Sequence, residues 1–189
     1  MRSATAALTP AEIGAIARRI DRSVVLVGLM GVGKSTVGRK LAGLLHADFV
    51  DADEAIVDAA AMSIAEIFER FGEPYFRDGE RRVIARLIEE HHGVIATGGG
   101  AFVNPQTRAL ILERAIAVWI DCDTATLVQR TGRRDDRPLL RNGDPAEILD
   151  RLRREREPFY AEAPIHVTSA DGPQYDTALH ILEAIDRWL

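Results

Sequence analysis

The chain has 189 residues, 47% hydrophobic and 28% charged, and its 24 Lys and Arg against 29 Asp and Glu leave a net charge of −5. A chain of this length buries about 70% of its unfolded surface as one domain without disulfides or metal, and its composition excludes a disordered chain or a collagen. The acidic balance gives no global attraction to nucleic acid or anionic lipid, and no apolar run reaches the roughly 18 residues of a membrane span.

The one cysteine, Cys122, precludes an internal disulfide and fits a reducing compartment. The five histidines, at 46, 91, 92, 166 and 180, do not pair with it at zinc-site spacing. Only two of the 24 basic residues are lysines, Lys34 and Lys40. A lysine in so arginine-rich a chain raises the question of what an arginine could not do there.

In chain order, residues 1–22 read as an extension holding a short amphipathic helix, Pro10 to Ile20, with Thr9 as N-cap. The segment has no apolar core of a secretory signal and carries Glu12, Arg18 and Arg19. Val24 to Val27 is a continuous apolar run before Gly28, as expected of a parallel strand buried on both faces. A helix over 34–46 follows, then a second strand, Ala47 to Val50, leading into Asp51-Ala52-Asp53. Helical patterns cover 54–60, 63–71 and 73–92, with Ser63 and Glu66 spaced as a capping box and Gly93 as a stop. Val94 to Thr97 is strand three, before Gly98-Gly99-Gly100, and a helix begins near Pro105. Ala115 to Ile120 is strand four, and Thr124 is expected to cap a short helix to Arg130. After an Arg/Gly-rich loop at 131–143, Asp144-Pro145 opens a helix to about Tyr160. Ile165 to Thr168 is strand five, and a final helix ends in Trp188-Leu189.

Strands alternating with helices predict an α/β fold: a parallel sheet, helices on both faces and right-handed crossovers. Ligands bind such sheets at the carboxyl ends of the strands. Gly28, Asp51 and Asp53, Gly98 to Gly100, and Asp121 all fall there.

Gly28-Leu-Met-Gly-Val-Gly-Lys34-Ser35 fits G-x-x-x-x-G-K-[ST] between a strand and a helix, which is the context of a phosphate-binding loop. Its glycines let backbone N–H groups turn inward at a positive helix end. Lys34 sets a compact charge against the β- and γ-phosphates, and the Ser35 hydroxyl suits Mg²⁺. Asp51 and Asp53 either cap the next helix or divide two tasks beside a metal-bound nucleotide, one aiding the metal through water and one taking a proton from an attacking hydroxyl. Arg77, three residues before Glu80, either forms a solvated helical ion pair or offers its fork to a substrate carboxylate. Gly98-Gly99-Gly100 is either a loose turn or a place of close approach. Arg130, Arg133, Arg134, Arg137 and Arg141 make a local basic stretch in an acidic chain, suited to closing over nucleotide phosphates as a lid. Arg156 lies in a charged helix that by itself reads as a solvated face.

Taken together, GLMGVGKST, DAD, FRDGE, ATGGGAF, RPLL and REPFY stand in the order and approximate spacing of the shikimate kinases, nucleoside-monophosphate-kinase-like P-loop enzymes that the chain resembles over residues 23–189. The resemblance implies a three-layer α/β/α fold with a five-stranded parallel sheet in the order 2-3-1-4-5, one kinase domain over 23–189 and a mobile lid at about 130–143. It implies transfer of the ATP γ-phosphoryl group to the 3-hydroxyl of shikimate. Gly31, Val32, Gly33, Lys34, Ser35 and Thr36 would wrap the phosphates, with Arg137 reaching the transferring group and Arg130 packing on adenine. Ser35 and, through water, Asp51 would hold Mg²⁺. Asp53 would act as base, Arg77 and Arg156 would clamp the shikimate carboxylate, and Gly98, Gly99 and Gly100 would meet the ring. A kinase with another carboxylate-bearing acceptor, such as gluconate, is the alternative. The same reading expects a cytoplasmic monomer that binds neither nucleic acid nor membrane.

Overall fold

The structure, a computed structural model, describes residues 8–90, 93–132, 143–169 and 172–189. Five strands form one parallel sheet: β1 (Val24–Val27), β2 (Phe49–Asp51), β3 (Val94–Ala96), β4 (Ile116–Asp121) and β5 (Ile165–Thr168). Their spatial order is β2-β3-β1-β4-β5, the order expected. β1 lies at the centre and pairs Val25 with Ile95 on one side and with Ala117 on the other. All four of its residues are buried, as a continuous apolar run between two helical layers requires. At the edge, β5 alternates buried and exposed residues.

The helices are α1 (Pro10–Arg19), α2 (Lys34–Leu45), α3 (Ala52–Ala60), α4 (Ile64–Glu90), α5 (Pro105–Arg114), α6 (Thr124–Thr131), α7 (Pro145–Tyr160) and α8 (Gln174–Trp188), with a 3₁₀ turn at Ala101–Val103. α2 and α8 pack on each other and on the sheet, with α1 against both; α5 packs between β4 and α4. α1 begins with a full capping box between Thr9 and Glu12. It buries Ile16 in the main core and is tied to α8 by an Arg19–Asp186 ion pair. The described part of the 1–22 extension is thus a packed helix.

Boundaries differ from expectation where side chains or caps compete with the strand pattern. β2 starts at Phe49 because residues 46 and 47 finish α2: His46 takes a left-handed conformation (φ 51°), and the Ala47 N–H donates to the Ala42 carbonyl. α3 begins at Ala52, not 54, because the Asp51 carboxylate caps it by accepting from the Asp53 N–H at 3.0 Å. α6 is capped by Asp123, which accepts from the Thr126 N–H at 2.8 Å; Thr124 is its first residue, not its cap. The two helices expected on either side of residue 72 run together as α4, broken at Gly72 (φ 79°, ψ 173°), with Pro74 opening the second part. The Ser63–Glu66 capping box is formed.

Candidate active site

The carboxyl ends of β1, β2 and β3 meet at one place, and there the P-loop turns from β1 into α2. Gly28 cannot be replaced by a larger residue, since it has φ 140° and a Cβ would run into the Ile120 carbonyl of the neighbouring strand. Gly33, the residue before α2, sits at φ 94°. Val32 is fully buried. The Lys34 ammonium donates to the carbonyls of Gly28 at 2.7 Å and Leu29 at 2.9 Å, so its charge is held over the loop. Thr36 is exposed on the first turn of α2.

Next to Lys34 on α2, the Ser35 hydroxyl donates to Asp51 Oδ2 at 2.6 Å. One Asp51 oxygen therefore caps α3, as one of the two readings of the sequence expects, and the other meets the residue that follows the P-loop lysine. Asp53 lies one residue inside α3. Burial lifts its carboxyl above the usual aspartate range and the Asp51 charge adds to this, while Lys34 and Arg77 pull the other way.

From the other side comes the glycine triplet after β3. A Cβ at Gly98 would stand 2.8 Å from Asp53 Oδ1 and 3.3 Å from Glu80 Oε1. One at Gly99 would stand 3.3 Å from both Arg156 Nη1 and the Met30 backbone nitrogen. One at Gly100 would overlap the Arg77 guanidinium, 2.8 Å from its Cζ. The triplet is a place of close approach, where three glycines leave room for the side chains of Asp53, Arg156 and Arg77.

Arg77 does not form the solvated pair that its spacing allowed. It donates to Glu80 at 2.7 Å, and the Glu80 side chain is only 1% exposed. Burial raises the Glu80 carboxyl above the usual glutamate range, with Arg77 opposing. A second bond, to Glu73 at 3.3 Å, steadies the guanidinium from the solvent side. Arg77 and Arg156 line one cleft of about 570 Å³, together with Asp78, Gly100, Val103 and Asn104. The cleft is the arginine side of the site and adjoins the triplet.

Arg130, at the end of α6, donates to the Val32 carbonyl at 3.2 Å and to Ser169 at 3.3 Å. It bridges the P-loop to the segment leaving β5. Arg137 and residues 133–142 of the expected lid lie outside the described residues. Asp121, expected at a ligand-binding edge, holds Arg153 of α7 at 2.9 Å and so anchors the helix that carries Arg156.

Three residues beside the site escape the motif reading. Glu80 was visible only as a helical neighbour of Arg77. Tyr160 was visible only as the last letter of REPFY. Gln174 lies against the P-loop, where a Cβ on Gly33 would come within 2.7 Å of its side-chain oxygen. That oxygen is buried without a hydrogen-bond partner among the described residues. No local spacing marks Gln174, which is brought there by the packing of α8 against α2.

A family model described as shikimate kinase matches residues 30–186. The chain belongs to the shikimate kinase family. A shikimate kinase of Novosphingobium aromaticivorans is 64% identical over 188 residues, covering 97% of each chain. Among solved structures, a shikimate kinase from Acinetobacter baumannii in complex with shikimate superposes with TM-score 0.84 at 36% identity, covering 90% of this chain and 97% of that one. A gluconokinase from Sinorhizobium meliloti, at 15% identity and TM-score 0.60 over 89% of this chain and 94% of that one, shares the fold alone. As a member of the shikimate kinase family the chain is an ATP-dependent kinase, and among its described residues no helix is long and apolar enough to cross a membrane.

Proposed function

We propose that this kinase moves the γ-phosphoryl group of ATP to the 3-hydroxyl of shikimate at the junction of the P-loop, Asp53 and the arginine-lined cleft, giving shikimate 3-phosphate and ADP. The observation that carries this reading is the pairing of two arginines, Arg77 and Arg156, on one cleft beside the glycine triplet. An acceptor with a single carboxylate suits two forked cations. The shikimate seen with the Acinetobacter relative supports the same acceptor.

Phosphoryl transfer asks for alignment and charge neutralisation more than covalent help. Lys34 is the compact cation for the β- and γ-phosphates. Asp53 orients the acceptor hydroxyl and takes its proton as the new P–O bond forms and the bond to the leaving ADP oxygen breaks. Gly98 gives this carboxylate room. By the family resemblance, Arg137 serves the transferring group and Arg130 the adenine.

The site also suits Mg²⁺. Ser35 and Asp51 present a hydroxyl and a carboxylate, and no group of three or more His, Cys, Asp or Glu able to hold a metal occurs among the described residues. That sparse oxygen set is what a cation bound largely through phosphates and water requires. When bound there, Mg²⁺ neutralises charge on the β- and γ-phosphates. We read the enzyme further as a cytoplasmic monomer, because its single cysteine fits a reducing compartment and it carries no heptad pattern.

Coupled ADP release over a panel of acceptors tests the assignment. Release that depends on shikimate is the expected result; equal release without it, or with gluconate in its place, would overturn the reading. The glycine triplet gives a second test. Gly100→Ala drives a methyl group into the Arg77 guanidinium, the far end of a flexible side chain, which must shift. The shikimate KM then rises by roughly 10- to 100-fold, the usual cost of an ångström-scale misplacement, while the ATP KM stays near that of the parent and Tm falls as far as the shift loosens the buried pair with Glu80. An unchanged shikimate KM would remove Arg77 from acceptor binding.

A further inference from the structure

Tyr160 is the last residue of α7 and stands one helical turn beyond Arg156, on the same face. It is 2% exposed and belongs to the main core, its ring 6.1 Å from that of Trp119. A tyrosine so deeply buried needs a partner for its hydroxyl, and it donates to the Gly99 carbonyl. Burial raises the Tyr160 pKa, and the Arg156 charge nearby, which favours the phenolate, opposes the rise. Gly99 in turn fits between Arg156 and the P-loop backbone at Met30.

The rest of α7 is already fixed on both sides of Arg156. Arg153 is held by Asp121 at 2.9 Å, and just past the helix end Glu162 is held by Arg108 at 3.0 Å. Arg108 also donates to the carbonyls of Phe102 and Val103, in the turn that follows the glycine triplet. With the helix backbone anchored, the freedom left to Arg156 is the swing of its own long side chain. The Tyr160 hydroxyl holds the Gly99 carbonyl, and Gly99 is the residue against which Arg156 Nη1 lies.

We propose that Tyr160 is a positioning residue for the acceptor: through its hydroxyl it fixes the Gly99 loop against which the Arg156 guanidinium lies, and so sets that guanidinium at a fixed place relative to the P-loop. This rests on the reading of Arg156 as a clamp for the acceptor carboxylate. Tyr160 itself holds the loop, and its effect passes through the loop to the arginine.

Tyr160→Phe keeps the ring and its packing and removes only the hydroxyl. The shikimate KM rises about tenfold, equivalent to about 1.4 kcal/mol, while kcat, the ATP KM and Tm remain close to the parent values. A double-mutant cycle with Arg156→Ala separates this proposal from the reading beneath it. If the hydroxyl acts through Arg156, adding Tyr160→Phe to Arg156→Ala raises the KM no further. A large effect of Arg156→Ala with none from Tyr160→Phe overturns the positioning role and leaves the clamp intact. No effect from either overturns both. Equal rises in both substrate KM values with a fallen Tm assign Tyr160 to packing alone and likewise overturn the proposal.

Discussion

Asp53→Asn lowers kcat by roughly 10²- to 10⁴-fold, the range lost with a positioned general base, and leaves ATP binding intact. Asparagine keeps the shape of the side chain and its place beside Gly98 but cannot take a proton from the acceptor hydroxyl. Steady-state rates with a separate nucleotide-binding titration check both halves, and full kcat in the variant would take Asp53 out of the chemistry. The electrostatics add a pH signature. The base must be ionised, and burial together with the Asp51 charge raises its pKa in the free enzyme. The acid limb of kcat/KM therefore lies above the ordinary aspartate value of about 3.9, with activity lost as the pH falls through the raised pKa. Asp51→Asn removes a like charge, so the same limb moves to lower pH even though the Ser35 contact is weakened.

Arg77→Ala has two separable consequences. The shikimate KM rises by roughly 10- to 100-fold, the worth of about 1.5–3 kcal/mol for hydrogen bonds to a charged group, with far less change in the ATP KM. Stability also falls, by about 3 kcal/mol, because Glu80 is left as a buried carboxylate without its guanidinium. Adding Glu80→Gln removes that charge: Arg77→Ala/Glu80→Gln recovers much of the lost stability and none of the acceptor affinity. Denaturation and kinetics on the pair of variants distinguish the two effects, and an unchanged shikimate KM in Arg77→Ala excludes it as a clamp.

The pH dependence of that deficit has a definite sign. Burial raises the Glu80 pKa in the folded state above its unfolded value. The folded protein therefore holds this proton more tightly, and the contribution of Glu80 to stability declines as the pH rises from the unfolded value, about 4.3, through the raised one. Without Arg77, which opposes the rise, the window extends further upward. The deficit of Arg77→Ala is fullest near neutral pH and shrinks as acid protonates Glu80. A deficit independent of pH would show that Glu80 is not the unpaired charge.

Much of this architecture is legible from local patterns, because its causes are local. The buried run Val24–Val27, the glycines and lysine of the P-loop, and the Thr9–Glu12 and Ser63–Glu66 capping boxes involve neighbours along the chain, and the structure has them where periodicity puts them. The misplaced boundaries were also local but contested: Asp51 could end a strand or cap a helix, and it does both because its backbone pairs with β3 while its carboxylate turns to α3 and Ser35.

By itself, then, the sequence determined the alternation of strands and helices, the phosphate loop and the residue types gathered at the strand ends, since hydrophobic period, glycine and capping chemistry act within a few residues. The tertiary structure alone decided that Glu80 is buried beneath Arg77, that Gly99 receives Arg156 and the Tyr160 hydroxyl, and that Gln174 abuts Gly33. Those contacts join residues far apart in the chain, and only the stacking of helices on the sheet, driven by burial of the shared core, brings them within hydrogen-bonding range.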